Sequence, residues 1–254
     1  MKKLHFTDPY IQDPQHPITV CLIGCGGTGS QVLTCLARLH STLVALNHPG
    51  LHVTVYDPDT VSESNIGRQL FSPTEIGRNK AEVSVTRINR FFGLDWESVP
   101  EMFSGFELKN MLNISITCTD NVRSRIDFGD YFDERSNGYH HTEAFYWLDF
   151  GNAKQTGQVI LGSKEIEQPK SKKFKAVSKL KTITQFADLT KVKDADSGPS
   201  CSLAEAIGKQ DLFINSILAQ LGIDLLWKLF KDGSLEYSGL YLNLETMRVT
   251  PINL

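Results

Sequence analysis

Residues 57–81, DPDTVSESNIGRQLFSPTEIGRNKA, place Asn65, Arg68, Gln69 and Lys80 directly after an apolar run that ends in aspartate. Hydride transfer has no task for such a set, whereas nucleotide phosphate chemistry does. Attack on an α-phosphate builds charge on its oxygens, and fixed donors and cations lower that barrier. Arg68 offers a planar fork, Lys80 a point charge and Asn65 a neutral donor. Any one of them alone reads equally well as a surface cation or a turn residue; it is the combination that points to ATP. Upstream, GCGGTGS (24–30) stands between an apolar β-branched run and a helical pattern. Gly24, Gly26, Gly27 and Gly29 there allow a tight turn and a close approach of backbone to an anion at a helix N-terminus. Asp57, at the end of the next strand, can accept hydrogen bonds from ribose hydroxyls. As a lone G-x-G-x-x-G this loop would read first as a nicotinamide or flavin site.

A second chemical feature is GPSCSLAE (198–205). Ser202 and Glu205 have capping-box spacing, so a helix is expected to begin with Ser202 as its N-cap. Cys201 would then sit beside unpaired N–H groups and the positive end of the helix dipole, where a thiolate nucleophile is stabilised. The alternative is a small buried apolar residue without reactivity.

The elements that must carry these residues follow from the hydrophobic pattern. Strands are expected at 18–26, 51–59, 113–121, 144–152 and 156–162, and helices at 27–39 and 75–93, the second ended by Gly93. The β-α-β-α-β alternation argues for an α/β fold, a mostly parallel sheet with helices packed on both faces. Residues 163–200 break the pattern, lysine-rich at first and polar throughout, and read as a long solvated crossover loop that covers a site. A strongly amphipathic helix follows, with Ile214, Ile217, Leu218, Leu221, Leu225 and Leu229 on one stripe. An antiparallel hairpin about Leu244–Met247 closes the chain. The whole of 1–254 reads as a single domain.

Bulk properties narrow the function class. With 26 Lys and Arg against 29 Asp and Glu, the net charge of −3 recruits neither nucleic acid nor an anionic membrane. No uncharged apolar run has the length of a membrane span, and MKKLHFTDPYIQDPQHP has no apolar core of a secretory signal. The five cysteines are scattered without a C-x-x-C pair, and Cys21, Cys35 and Cys118 read as packing residues. A reduced, cytoplasmic protein is expected.

The ordered set of the glycine loop, D-x-D-x-V-x-x-S-N-x-x-R-Q, I-G-x-x-K-A and CTDNVRSR (118–125) resembles the ThiF/MoeB/ubiquitin-activating superfamily. Such proteins adenylate the C-terminal carboxylate of ubiquitin-like proteins. The resemblance runs in order from about residue 18 to residue 162 and implies a Rossmann-like fold. It places Asp57 on the ribose, with Asp59 beside it in the same motif. It further places Asn65, Arg68 and Lys80 on the phosphates and Asp120 on Mg²⁺, with Gln69, Asn121 and Arg125 in supporting positions. The Pro199-Ser200-Cys201-Ser202 run is similar to the thioester-cysteine setting of the ubiquitin-activating branch. The pattern as a whole, including PSCSLAEAIGKQDLFIN, looks most like the ThiF-family member of bacterial PRTRC systems. The partners so implied are a ubiquitin-like protein with a C-terminal glycine, a conjugating-enzyme-like protein and a second copy of the chain. The lysine-rich stretch 164–181 is a candidate clamp for the extended tail or an acidic face of such a partner. The sequence departs from many relatives in two respects: residues 1–37 contain no arginine to reach across a dimer, and paired C-x-x-C zinc ligands are missing.

Three other functions compete. A Rossmann oxidoreductase with NAD or FAD leaves Asn65, Arg68, Lys80 and Asp120 without work. An adenylating enzyme without a thioester step, acting on a peptide, tRNA base or sulfur carrier, predicts that Cys201 is dispensable. A binding module would keep the nucleotide pocket as an ordered platform without chemistry.

Overall fold

The structure is a computed structural model, which describes residues 1–104, 112–134, 145–189 and 210–254. Its centre is an eight-stranded sheet. β2 (Ile18–Ile23), β3 (Leu51–Tyr56), β4 (Glu97–Val99), β5 (Ile114–Thr117) and β6 (Tyr146–Asn152) run parallel. β7 (Thr156–Ser163), β10 (Tyr237–Asn243) and β11 (Arg248–Asn253) extend it in antiparallel fashion, giving the order β11-β10-β7-β6-β5-β2-β3-β4. A second sheet, β8-β1-β9, joins β1 (Lys3–Phe6) to β8 (Lys175–Ala176) and β9 (Ser234–Leu235). The expected α/β class and the closing hairpin are both present.

Parallel strands buried on both faces read as continuous apolar runs, and β2 shows why. Ile18, Val20 and Leu22 pack into one core with residues of α2 (Gly27–Ala45), α3 (Lys80–Phe92) and α6 (Ile214–Asp232). The alternate residues Cys21 and Ile23 face the other core, among Phe128 and Phe132 of α4 (Val122–Glu134) and Ile183 of α5 (Ile183–Phe186). The short helix α1 (Pro9–Gln12) adds the fully buried Ile11 to the first core. Burial of each such aliphatic side chain contributes about 1.5–3 kcal/mol. Along β6 the same alternation sends Tyr146, Leu148 and Phe150 to the α2/α6 side and Trp147 to the α4 side.

Two expectations are corrected. The helix predicted from residue 75 begins at Lys80: Pro73–Glu75 form a 3₁₀ turn, Gly77 takes φ +83°, and Asn79 caps α3 by accepting from the Glu82 amide. Its end at Gly93, in the left-handed conformation, is as read from the sequence. The segment after β7 is no simple solvated loop over 163–189. Ser163 and Ile166 pair through their backbones with Leu180 and Ser178, β8 adds to β1, and Ile166, Leu180 and Ile183 are buried. Sparse apolar residues there hid a packed excursion because they are spaced for neither a helix nor a strand. The helix expected from Ser202 lies outside the described residues. No helix among the described residues is long and apolar enough to cross a membrane.

Candidate functional site

The carboxyl ends of β2, β3, β5 and β6 open onto one cleft of about 350 Å³, the place where open parallel sheets bind ligands. Its floor is the turn between β2 and α2. Gly24 has φ +89°, and a Cβ there would sit 2.9 Å from the carbonyl oxygen of Cys118. At Gly29 a Cβ would lie 1.9 Å from the Gly24 carbonyl oxygen. The turn therefore exists only with glycine at both positions. Gly24, Gly26 and Gly27 line the cleft, whereas Gly29 supports it from within α2.

Asp57 follows β3. Its Oδ2 accepts from the Cys25 amide at 2.5 Å and its Oδ1 from the Asp59 amide at 2.9 Å, so the carboxylate locks the glycine turn as well as facing the cleft. Burial raises its pKa; the two amides and Lys80 act in the opposite direction. Lys80, at the first position of α3, reaches Asp59 Oδ2 at 2.8 Å. Asn79 donates to the carbonyls of Asp57 and Asp59 and so ties the start of α3 to the end of β3.

Arg68 and Gln69 form the next wall. Arg68 is partly buried, and that burial lowers its pKa against the pull of Asp120. Its Nη1 donates to Gln210 Oε1 at 2.5 Å, while its Nε and the Oε1 of Gln69 are buried without hydrogen-bond partners. Buried polar atoms left unpaired on a cleft wall are atoms a ligand can satisfy. Gln210 also donates to Asn152, Asn152 to Asn215, and Thr28 to Asn215. This chain of carboxamides joins the glycine turn, β6 and α6 into one polar wall. Gln210 and Asn215 lie within the run PSCSLAEAIGKQDLFIN, but no site role was read for them or for Asn152 from sequence. The opposite wall is apolar, with Tyr56, Phe103, Phe128 and Tyr131 in edge-on and tilted contact.

Asp120 and Asn121 occupy the turn from β5 to α4 at the rim of the cleft. Asn121 caps α4 by accepting from the Ser124 amide at 2.7 Å. Asp120 is exposed. Asn65 stands apart from the cleft wall: it is buried, and its Oδ1 accepts from the Ser62 amide to close a capping box around Glu63–Asn65. Of the nucleotide residues expected from sequence, Gly24, Gly26, Gly27, Asp57, Asp59, Arg68, Gln69, Lys80, Asp120 and Asn121 therefore meet at the cleft. Asn65 and Gly29 stand behind it. Cys201 lies outside the described residues.

The other four cysteines are poor nucleophiles. Burial raises the thiol pKa of each; that of Cys25 is pushed up to about 12, and Cys118, although it lines the cleft, is held well above its ordinary value with Asp149 adding to the effect. No group of three or more His, Cys, Asp or Glu side chains suited to a metal ion occurs among the described residues.

The lysine-rich stretch runs elsewhere. Lys164 and Ser163 meet Phe145 and Tyr146 at the start of β6, and Lys175 pairs with Lys3 on β1. Asn152, at the cleft, ends the same strand, roughly 20 Å away at about 3.3 Å per residue. That part of the stretch is therefore not placed to grip a tail inside the cleft.

Comparison with known proteins agrees with this architecture. The ThiF family model matches residues 10–253. Among solved structures, E. coli MccB aligns with a TM-score of 0.61 at 16% identity, over 96% of this chain and 64% of MccB. MccB with AMPCPP and MccA gives 0.62 at 16% identity, over 96% of this chain and 65% of that one. PaaA gives 0.58 at 16% identity, over 93% and 64%. The chain thus spans a little under two thirds of the length of these proteins and shares their fold.

Proposed function

The chain belongs to the ThiF family, and on that premise we propose that it adenylates the C-terminal carboxylate of a ubiquitin-like protein and then captures the acyl group on Cys201. The observation that carries the reading is the convergence of the glycine turn, Asp57, Arg68, Lys80 and Asp120 on one cleft. The unpaired Nε–H of Arg68, a donor without an acceptor, together with the side-chain-free floor at Gly24, suits a triphosphate. In the same fold, an E. coli MccB structure carries ATP.

In the first step an oxygen of the substrate carboxylate attacks the α-phosphorus of ATP, and pyrophosphate leaves. Arg68 and Lys80 neutralise charge on the phosphate oxygens, and Lys80 exchanges part of its pairing with Asp59 for them. Asp57 holds the ribose with the lone pairs that the Cys25 and Asp59 amides leave free. Asp120 would hold Mg²⁺, which supplies charge neutralisation at the phosphates; one carboxylate with substrate phosphates is an ordinary donor set for that ion. In the second step the Cys201 thiolate attacks the acyl carbon, the thioester forms and AMP leaves. The raised thiols of Cys21, Cys25, Cys35 and Cys118 leave Cys201 as the cysteine suited to this task. A homodimer and a conjugating-enzyme-like acceptor complete the scheme, with the cytoplasm as its setting. The ThiF-family proteins of PRTRC systems are the branch it fits.

The test is ATP–pyrophosphate exchange in the presence of candidate glycine-ended proteins, followed by a search for a reductant-sensitive adduct. Exchange together with an adduct on Cys201 supports both steps. Exchange that survives Cys201→Ala with full product formation assigns the chain to adenylation without a thioester. Nicotinamide or flavin binding with no exchange refutes the proposal.

A further inference from the structure

The turn that carries Asp120 is tied down from behind by a side chain outside the cleft. Arg125, near the start of α4, donates from Nη2 to the carbonyl of Thr119 at 2.9 Å and to that of Phe150 at 2.8 Å. One guanidinium thus joins the chain after β5 to the end of β6. Its Nε lies 3.2 Å from Oδ1 of Asp149, a residue with no exposed surface. That oxygen also accepts from Thr117 Oγ1 at 2.6 Å, and Thr117 in turn accepts from Trp147 Nε1 at 2.8 Å. The second oxygen of Asp149 and the Nε of Arg125 have no hydrogen-bond partner, so charge rather than a hydrogen bond couples the two side chains.

A buried ion pair is a poor source of stability, because desolvation of both charges offsets their attraction. This pair has a different consequence. The Thr119 carbonyl belongs to the planar peptide group that ends at Cα of Asp120. A guanidinium gripping that oxygen fixes the plane from which the Asp120 side chain projects. Neither Arg125 nor Asp149 lines the cleft, so their effect on a ligand passes through that peptide.

We propose that Arg125 and Asp149 are positioning residues for Asp120: the buried carboxylate orients the guanidinium, and the guanidinium sets the direction in which Asp120 presents its carboxylate to a nucleotide-bound divalent cation. The inference rests on the reading of Asp120 as the residue that holds the cation.

The test is calorimetric titration of the protein with ATP, once with Mg²⁺ and once with EDTA; the gain in affinity on adding Mg²⁺ is the quantity read. Arg125→Lys keeps a positive charge beside Asp149 but loses the planar fork that serves two carbonyls. It is expected to leave the EDTA affinity within about twofold and to reduce the Mg²⁺ gain about tenfold, the low end of what loss of a supporting partner costs a metal site. Asp149→Asn is expected to act in the same direction. Should it fail to fold by circular dichroism, Arg125→Lys carries the test alone. An Arg125→Lys protein that melts earlier yet keeps the full Mg²⁺ gain overturns the proposal and leaves the pair a strand staple. Asp120→Ala is the reference. If it keeps the Mg²⁺ gain, or if the wild-type protein shows no gain, the reading of Asp120 falls and the inference with it.

Discussion

Arg68 and Gln210, 142 positions apart in the chain, are joined by a hydrogen bond of 2.5 Å from Nη1 to Oε1. Gln210 is the first described residue after the crossover, and Arg68 is the cation proposed for the phosphates. The return of the crossover therefore bears directly on the orientation of the guanidinium. Hydrogen bonds to charged groups contribute about 1.5–3 kcal/mol. Gln210→Ala is expected to weaken Mg·ATP binding about tenfold with a small change in melting temperature. Calorimetry beside a thermal melt checks this; unchanged affinity would separate Gln210 from the nucleotide site.

Gly29→Ala is expected to be far more damaging than an ordinary helix substitution. Alanine normally favours a helix over glycine by about 1 kcal/mol, yet here the added Cβ would stand 1.9 Å from the Gly24 carbonyl oxygen. Denaturant unfolding should show a loss of more than about 2 kcal/mol together with loss of ATP binding. A neutral or stabilised variant would mean the turn relaxes freely.

Acid should loosen the fold through its buried histidines. His5 is fully buried between the Val177 carbonyl, at 2.7 Å from Nδ1, and the Tyr146 hydroxyl, and burial lowers its pKa below 6.5; His48 shifts the same way. The unfolded chain then binds these protons more readily than the folded one, so the stabilising contribution is complete above about pH 6.5 and is lost as pH falls towards the lowered folded values. Chemical denaturation at pH 7.5, 6.5 and 5.5 should show unfolding free energy decreasing by up to about 1.4 kcal/mol per pH unit for each proton taken up. A profile flat through that window contradicts the assignment.

Charge reversal at the exposed Lys172 and Lys173 is expected to leave ATP affinity within about twofold, because the flanking Ser163 and Lys175 pair at the start of β6 and on β1, away from the cleft, where screened charges act weakly. The same variant should lower affinity for an acidic protein partner in a pull-down or calorimetric assay with a glycine-ended candidate. A large fall in ATP affinity would place the stretch nearer the cleft than the fold has it.

What could be read from the sequence was local. Alternating apolar runs, the glycine turn, Gly93 at the end of α3 and the hairpin about Leu244–Met247 depend on residues within a few positions of one another, where backbone sterics and periodicity act. The aspartate, arginine and lysine set could be named in advance for the same reason, since types and short spacings carry its chemistry. Packing and strand register decided the remainder. Thr117 meets Asp149 because β5 and β6 pair in that register. Arg125 grips Thr119 and Phe150 because α4 folds back over both strand ends, and Gln210, Asn152 and Asn215 join hands only once α6 lies against α2 and β6. Buried polar groups must find partners wherever the chain brings them; apart from Thr119, six positions from Arg125, those partners were 25 to 142 residues away, a distance over which only the folded chain selects among many equivalent amides and carboxylates.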